Sequence, residues 1–373
     1  MSARTLASAS EAVAGVLARA FADDPFWNYV TPDEDLRMRQ LQAWFPLGVR
    51  YGRVYGTIDT EGDDLWSAPR EITVRNATFL DRFQRLCESH GLKPTYVTNY
   101  EMAAAPAFQA FARGALARNA AEIGMHLHAW NSPPVRPLTD DDYRYQPYLI
   151  EYPEDVIREK VGFLTRLLED TFGLKMTSHR AGRWSMNDVY ARILVEHGYR
   201  SDCSVTPHVS WRHAKGDPRR EGGTDFSSFP EEPYIMDLRD ISRPGHSPLL
   251  ELPMTIMRSA SRALRRVGEL MPRGSLPSRV WNRLFPPVLW LRPNGRNLTQ
   301  MLQILERAHR DGRPYVEFML HSSEFMPGGS PTFRTPESIE ALYRDLDRLF
   351  SRASSRFAGA TLAEFDRSFR PAS

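Results

Sequence analysis

The spacing of apolar positions changes rhythm near residue 50. Before that point, residues 9–22 place Val13, Val16, Leu17, Ala20 and Phe21 at helical intervals and stop at Asp23-Asp24-Pro25. A second helical stretch follows Pro32 and carries Leu36, Leu41, Trp44 and Phe45. After residue 50, short apolar runs near 54–59, 94–99, 122–128, 176–180, 201–205, 249–254 and 315–320 predict strands. The helices between them are sharply striped. Residues 76–90 repeat Phe79, Phe83 and Leu86 before Gly91, and residues 154–172 repeat Ile157, Val161, Leu164 and Leu168 between Pro153 and Gly173. Residues 297–311 and 336–351 carry equivalent stripes. About seven strands alternating with helices predict parallel βα units, closed into a barrel or laid out as an open wound sheet.

Two stretches break the rhythm. Residues 206–247 are rich in Pro, Gly and mixed charge and read as an excursion loop. Residues 258–296 hold nine arginines against one acid, Glu269. At 373 residues the chain can be absorbed largely by one barrel, giving an expected division into an N-terminal helical extension, 1–53, and a barrel, 54–373, with insertions at 206–247 and 258–296. A net charge of +2 gives no argument for a nucleic-acid partner, and none is expected. Cys87 and Cys203 are too few for a disulfide framework and form no CxxC pair. Arg4, Glu11 and Arg19 interrupt what would be the apolar core of a signal peptide, and no window approaches the roughly 18–20 apolar residues of a membrane span. A cytoplasmic location is the expectation.

Polar clusters fall where the predicted strands end, the place where α/β folds build sites. The first is Asp59-Thr60-Glu61-Gly62-Asp63-Asp64, which standing alone would read as a solvated turn. The second is His126-Leu127-His128. Residues two apart on a strand share a face, so the two imidazoles point the same way, and a carboxylate from Asp63 would complete a three-ligand metal set with open positions. The third is Ser178-His179-Arg180-Ala181-Gly182-Arg183, in which two arginines bracket a glycine and can clamp a carboxylate. The fourth delivers His321 at the end of an apolar strand.

Taken together, IDTEGDDLW, FLDRFQRLCESHGLKPTYVTNYEMA, EIGMHLHAWNSPP, SHRAGRW, GYRSDCSVTP and EFMLHSSEFMPGG resemble the polysaccharide deacetylase (NodB-homology, carbohydrate esterase family 4) proteins, in that family's order and over residues 54–365. Within the family they are similar to the branch often labelled WalW. The resemblance implies an irregular (β/α) barrel that binds one divalent ion, usually zinc, and removes N-acetyl groups from a polysaccharide or a lipid-linked sugar precursor. It implies Asp59 as general base, Asp63 as metal ligand with His126 and His128, Arg180 as the residue orienting the base, and His321 as general acid. Such chemistry needs a Lewis acid because an amide carbonyl is a poor electrophile, and a proton donor because an amine is a poor leaving group.

The chain departs from the family pattern in three places. Trp130 stands where the second histidine is usual, so His128 takes that role; the RxPY turn is Arg180-Ala181-Gly182-Arg183; and Asp202 is the substitute for the acid that orients the catalytic histidine. The departure at Trp130 sets up an alternative, an inactive glycan-binding barrel. Residues 8–53 resemble the opening helices of GNAT acetyltransferases, without that family's acetyl-CoA loop, which makes acetyl transfer a more remote alternative. The arginine-rich insertion admits three readings: a cover over the barrel mouth stacking sugars on Trp281 or Trp290, a basic surface in peripheral contact with a membrane, or simple packing.

Overall fold

In the computed structural model, residues 33–38, 52–259, 266–267, 270–272, 275–277, 280–281 and 285–370 are described. Apart from 33–38 and 52–53, the predicted N-terminal extension lies outside them; 34–38 is helical. All seven predicted strands are present: β1 Gly52–Thr60, β2 Thr95–Thr98, β3 Glu122–Leu127, β4 Ser178–Ala181, β5 Ser201–Asp202, β8 Leu250–Glu251 and β11 Tyr315–His321. They pair in the order β11-β1-β2-β3-β4-β5-β8, every ladder parallel. The central strands are buried along their length, β2 at all four positions and β3 at five of six, because helices cover one face and the barrel interior covers the other.

The helices follow from their stripes. For the longest crossover, α3 (Glu154–Phe172), Ile157, Val161, Leu164 and Leu168 are all within 2% of full burial, each worth about 1.5–3 kcal/mol against an exposed position. Pro153 opens the helix, and Gly173, at φ 67°, closes it with a backbone bond to the Glu169 carbonyl. Helices α1 (Leu80–Ser89), α2 (Pro106–Ala117), α4 (Asp188–Glu196), α5 (Leu298–Arg310), α6 (Pro336–Ser354) and α7 (Leu362–Phe369) complete the shell.

The sheet curls into a half-barrel. No ladder joins β8 to β11; there the chain after β8 runs beside β11, and the Thr255 hydroxyl accepts the Glu317 amide at 2.8 Å. The 206–247 stretch is more than a loop. It contains a hairpin, β6 (Tyr234–Asp237) and β7 (Asp240–Pro244), which adds antiparallel strands beyond β8. The ends of the 258–296 insertion form a separate two-stranded sheet from β9 (Ile256–Arg258) and β10 (Val288–Trp290). A short β12 (Phe357–Gly359) pairs with the start of β1. Both cysteines are buried and free. Among the described residues no helix is long and apolar enough to cross a membrane.

Candidate active site

Strand register brings the polar clusters together. Asp59 of β1 is the direct partner of His321 of β11, and His126 of β3 is the direct partner of Arg180 of β4. At this rim of the barrel, Glu61, His126 and His128 form a group whose ligand atoms all lie within 4.8 Å of one another, and all three residues are buried. The Nε2 atoms of the two histidines stand 3.1 Å apart, and Glu61 Oε2 is 2.8 Å from His128 Nε2 and 3.5 Å from His126 Nε2.

This donor set fits a divalent ion. His126 Nδ1 lies 3.0 Å from the Arg180 carbonyl, an acceptor only, so that nitrogen carries the hydrogen and a neutral ring leaves its Nε2 lone pair facing the cluster. Burial opposes a charge on His128 and lowers its pKa below the ordinary imidazole value. Burial acts the same way on His126, but the Asp59 and Glu61 carboxylates overcome it and raise that pKa. Glu61 is likewise ionised: burial disfavours its charge, yet His321, His126 and His128 hold its carboxyl far below the usual range.

The acid in this group is Glu61 and not Asp63, which corrects the expected ligand set. Asp59 and Glu61 are two residues apart at the end of an extended strand and share its inward direction. After Glu61 the chain passes Gly62, where an added Cβ would stand 2.3 Å from Ile72, into a turn at Asp63–Asp64. Asp63 then faces the other way. Its carboxylate accepts the Thr73 hydroxyl at 2.7 Å, the Arg75 and Asn76 amides at 3.1 and 3.0 Å, and the side chains of Asn76 and Arg75. It ties down the following helical turn.

Arg180 is fully buried and crosses the barrel interior from β4 to β1. It donates to Asp59 Oδ1 at 2.7 Å, to the Thr57 hydroxyl at 2.6 Å and to Glu317, while its guanidinium lies 4.6 Å from the Trp184 ring centre. Burial disfavours the charge on Asp59, but Arg180, then His126 and His321, outweigh it and hold the carboxyl below its ordinary value. One guanidinium does not compensate two buried carboxylates equally. Burial pushes Glu317 up to about 7 in spite of Arg180.

His321 Nε2 lies 3.8 Å from both Asp59 and Glu61, across from the histidine pair. Its other nitrogen is 3.1 Å from Glu324, which also accepts the His321 amide at 2.9 Å, and 3.1 Å from Arg292. The expectation that Asp202 orients His321 is therefore corrected. Asp202 is fully buried on β5, where it pairs with His179 at 2.6 Å and with Ser204. Strand β5 is four ladders away from β1 and its side chains serve a different part of the core. Glu324 does the work from the turn just after His321; its S/H-x-x-E spacing is a capping signal that could have found it. Arg183 clamps no carboxylate. It donates to the Gln146 and Lys215 carbonyls and stacks over Tyr148 at 4.1 Å.

A groove of about 1100 Å³ opens beside His321, lined by Trp66, Trp184, Trp211, Trp290, Arg292 and Phe333 among others. Trp66 meets the His321 ring edge-on at 4.8 Å. Trp290 lines this groove and Trp281 does not.

No family model matches the sequence, and no curated protein matches it. Among solved structures, the chain is similar to a candidate glycoside hydrolase/deacetylase from Parabacteroides distasonis, at a TM-score of 0.52 and 10% identity, over 86% of this chain and 72% of that one. It is also similar to a candidate polysaccharide deacetylase from Mycobacterium smegmatis (TM-score 0.46, 14% identity, 85% and 90% covered) and to a CE4 family pseudoenzyme from Bacillus anthracis (TM-score 0.39, 12% identity, 85% and 66% covered). At these identities the likeness to the first establishes a shared fold, the irregular α/β barrel.

Proposed function

We propose that the protein is a metal-dependent deacetylase that hydrolyses the N-acetyl group of a sugar in a polysaccharide or its precursor. The observation that carries this reading is the convergence of Glu61, His126 and His128 on one point, with Asp59 and His321 flanking it. Two imidazoles and one carboxylate suit zinc and leave coordination positions open. A divalent ion held by these three residues supplies Lewis acidity toward an acyl oxygen and lowers the pKa of an attacking water.

The chain's own residues supply the rest. Asp59, 3.9 Å from His126 Nε2, is kept ionised by Arg180 and takes the proton of the attacking water. Arg180 also fixes which Asp59 oxygen faces inward, because it holds Oδ1 and leaves Oδ2 toward His126 and His321. His321 delivers a proton to the departing nitrogen, and Glu324 holds its ring in place from the far side. The aromatic groove beside His321 offers flat apolar faces of the kind that stack on pyranose rings, and Arg292 adds hydrogen-bond donors. The fold shared with the Parabacteroides protein agrees with this chemistry.

The test combines metal analysis with acetate release from a panel of N-acetylated oligosaccharides. The reading expects stoichiometric divalent metal, loss of activity with chelator and recovery with zinc. Asp59→Asn and His321→Ala should each retain metal and lose about 100- to 10,000-fold in turnover. Metal binding with no acetate release from any substrate would leave an inactive glycan-binding barrel, the reading that Trp130, packed 5.8 Å from His128, first motivates.

A further inference from the structure

Large apolar side chains are exposed at ten of the described positions, and five of those, Val267, Leu270, Leu276, Val280 and Phe285, fall within the single stretch 267–285. Leu270 and Leu276 are the most exposed of all, at 85% and 75%. Scattered singly, such residues mean little, but concentrated in one surface segment they mark an interaction surface. The same insertion is the most one-signed part of the sequence, with nine arginines and only Glu269 against them across 258–296. Arg258, Arg266 and Arg296 are among its exposed residues. The segment is tethered at both ends by the β9–β10 ladder, in which Ile256 pairs with Trp290. Its last residues, Pro286 to Trp290, then form part of the groove beside His321.

We infer that the described, exposed residues of this insertion bind the surface of an anionic lipid bilayer, with Arg258, Arg266 and Arg296 at the headgroup phosphates and Leu270, Leu276, Val280 and Phe285 entering the headgroup–acyl boundary. Charge complementarity selects an anionic partner. The exposed leucines distinguish a bilayer from a soluble polyanion, because a polyanion needs the arginines alone and gains nothing from side chains that must be taken out of water. Since the same insertion contributes Trp290 and Arg292 to the groove, the bound protein keeps its site at the membrane surface, where a lipid-anchored glycan would be presented. The binding itself does not depend on the catalytic reading.

The experiment is co-sedimentation of the full chain with phosphatidylcholine vesicles, with and without phosphatidylglycerol, at low and high ionic strength. Binding should require the anionic lipid, be strong at low salt and fade as salt rises. The double variant Leu270→Glu/Leu276→Glu should lower partitioning at low salt by at least about tenfold. Both side chains are exposed, so the variant should keep the thermal midpoint and metal content of the parent. An absence of binding at low salt, equal binding to pure phosphatidylcholine, or unchanged binding by the leucine variant would each overturn the inference. So would self-association, or retention on heparin, in place of vesicle binding.

Discussion

Glu61 and Asp63 sit two residues apart in one acidic turn, yet one faces the two histidines and the other anchors a loop. Substitution should separate the two roles cleanly. Glu61→Gln replaces one carboxylate oxygen with an amide nitrogen that cannot coordinate, and should weaken metal binding by more than about 100-fold, beyond the range typical of outer-sphere partners. Asp63→Ala should act on stability instead. It strands two backbone amides and three side-chain donors, costing about 2–3 kcal/mol in unfolding free energy, while metal affinity remains near wild type. Isothermal titration with zinc and chemical denaturation of both variants measure the two effects. Equal loss of metal affinity in both would return Asp63 to the ligand set.

The elements place the histidines through close backbone contact between β3 and the turn after β4. At Gly182, a Cβ would stand 2.4 Å from the Leu127 carbonyl and 3.1 Å from His128 Nδ1. The first of these atoms is backbone and cannot swing away. Gly182→Ala should therefore push the end of β3 aside, costing about 1–3 kcal/mol and weakening metal binding through His128. Gly91→Ala is the matched control. Its φ of +67° makes alanine strained, at roughly 1–2 kcal/mol, but nothing lies within 4 Å of the added carbon and the position is remote from the metal group. Both variants should unfold more easily, and only Gly182→Ala should lose metal affinity. If both bind metal equally well, the β3–β4 contact does not position His128.

Across the whole molecule, the buried guanidinium of Arg180 joins β4, β1 and β11 through the barrel interior. Its second carboxylate leaves a trace in the pH dependence of stability. Glu317 is raised from about 4.5 in the unfolded chain to about 7 in the fold. Between those values the folded state holds a proton that the unfolded state has released. The group's contribution is thus complete below about pH 4.5 and is lost as pH rises through about 7. Glu317→Gln, which keeps the shape and a neutral charge, removes that loss. Relative to the parent, the variant should gain up to about 1.4 kcal/mol per pH unit across this window, read from denaturation midpoints at several pH values. A constant difference between the two proteins would mean that Glu317 is ionised throughout.

The alternation of apolar runs and striped helices determined the seven parallel strands, because burial on both faces of a strand and one face of a helix leaves a local mark at every residue. Period-two spacing likewise placed His126 and His128 on one side of β3, and strand ends located Asp59, Arg180 and His321. Three matters were decided only by the tertiary structure. The course of the chain between Glu61 and Asp63 is held at Gly62 by the close approach of Ile72 and by the Glu101 carboxylate that accepts its amide, 10 and 39 residues from Gly62. The local H-x-x-E spacing offers Glu324 to His321, but only the sheet order, with β5 four ladders from β1, removes Asp202 as its partner. Arg180 meets Asp59 and Glu317 because the sheet curls and brings β4 to face β1 and β11, 121 and 137 residues away in sequence. Local pattern records which way a side chain faces within its own element. Which side chains meet across a barrel is set by register and curvature, and those are properties of the assembled sheet.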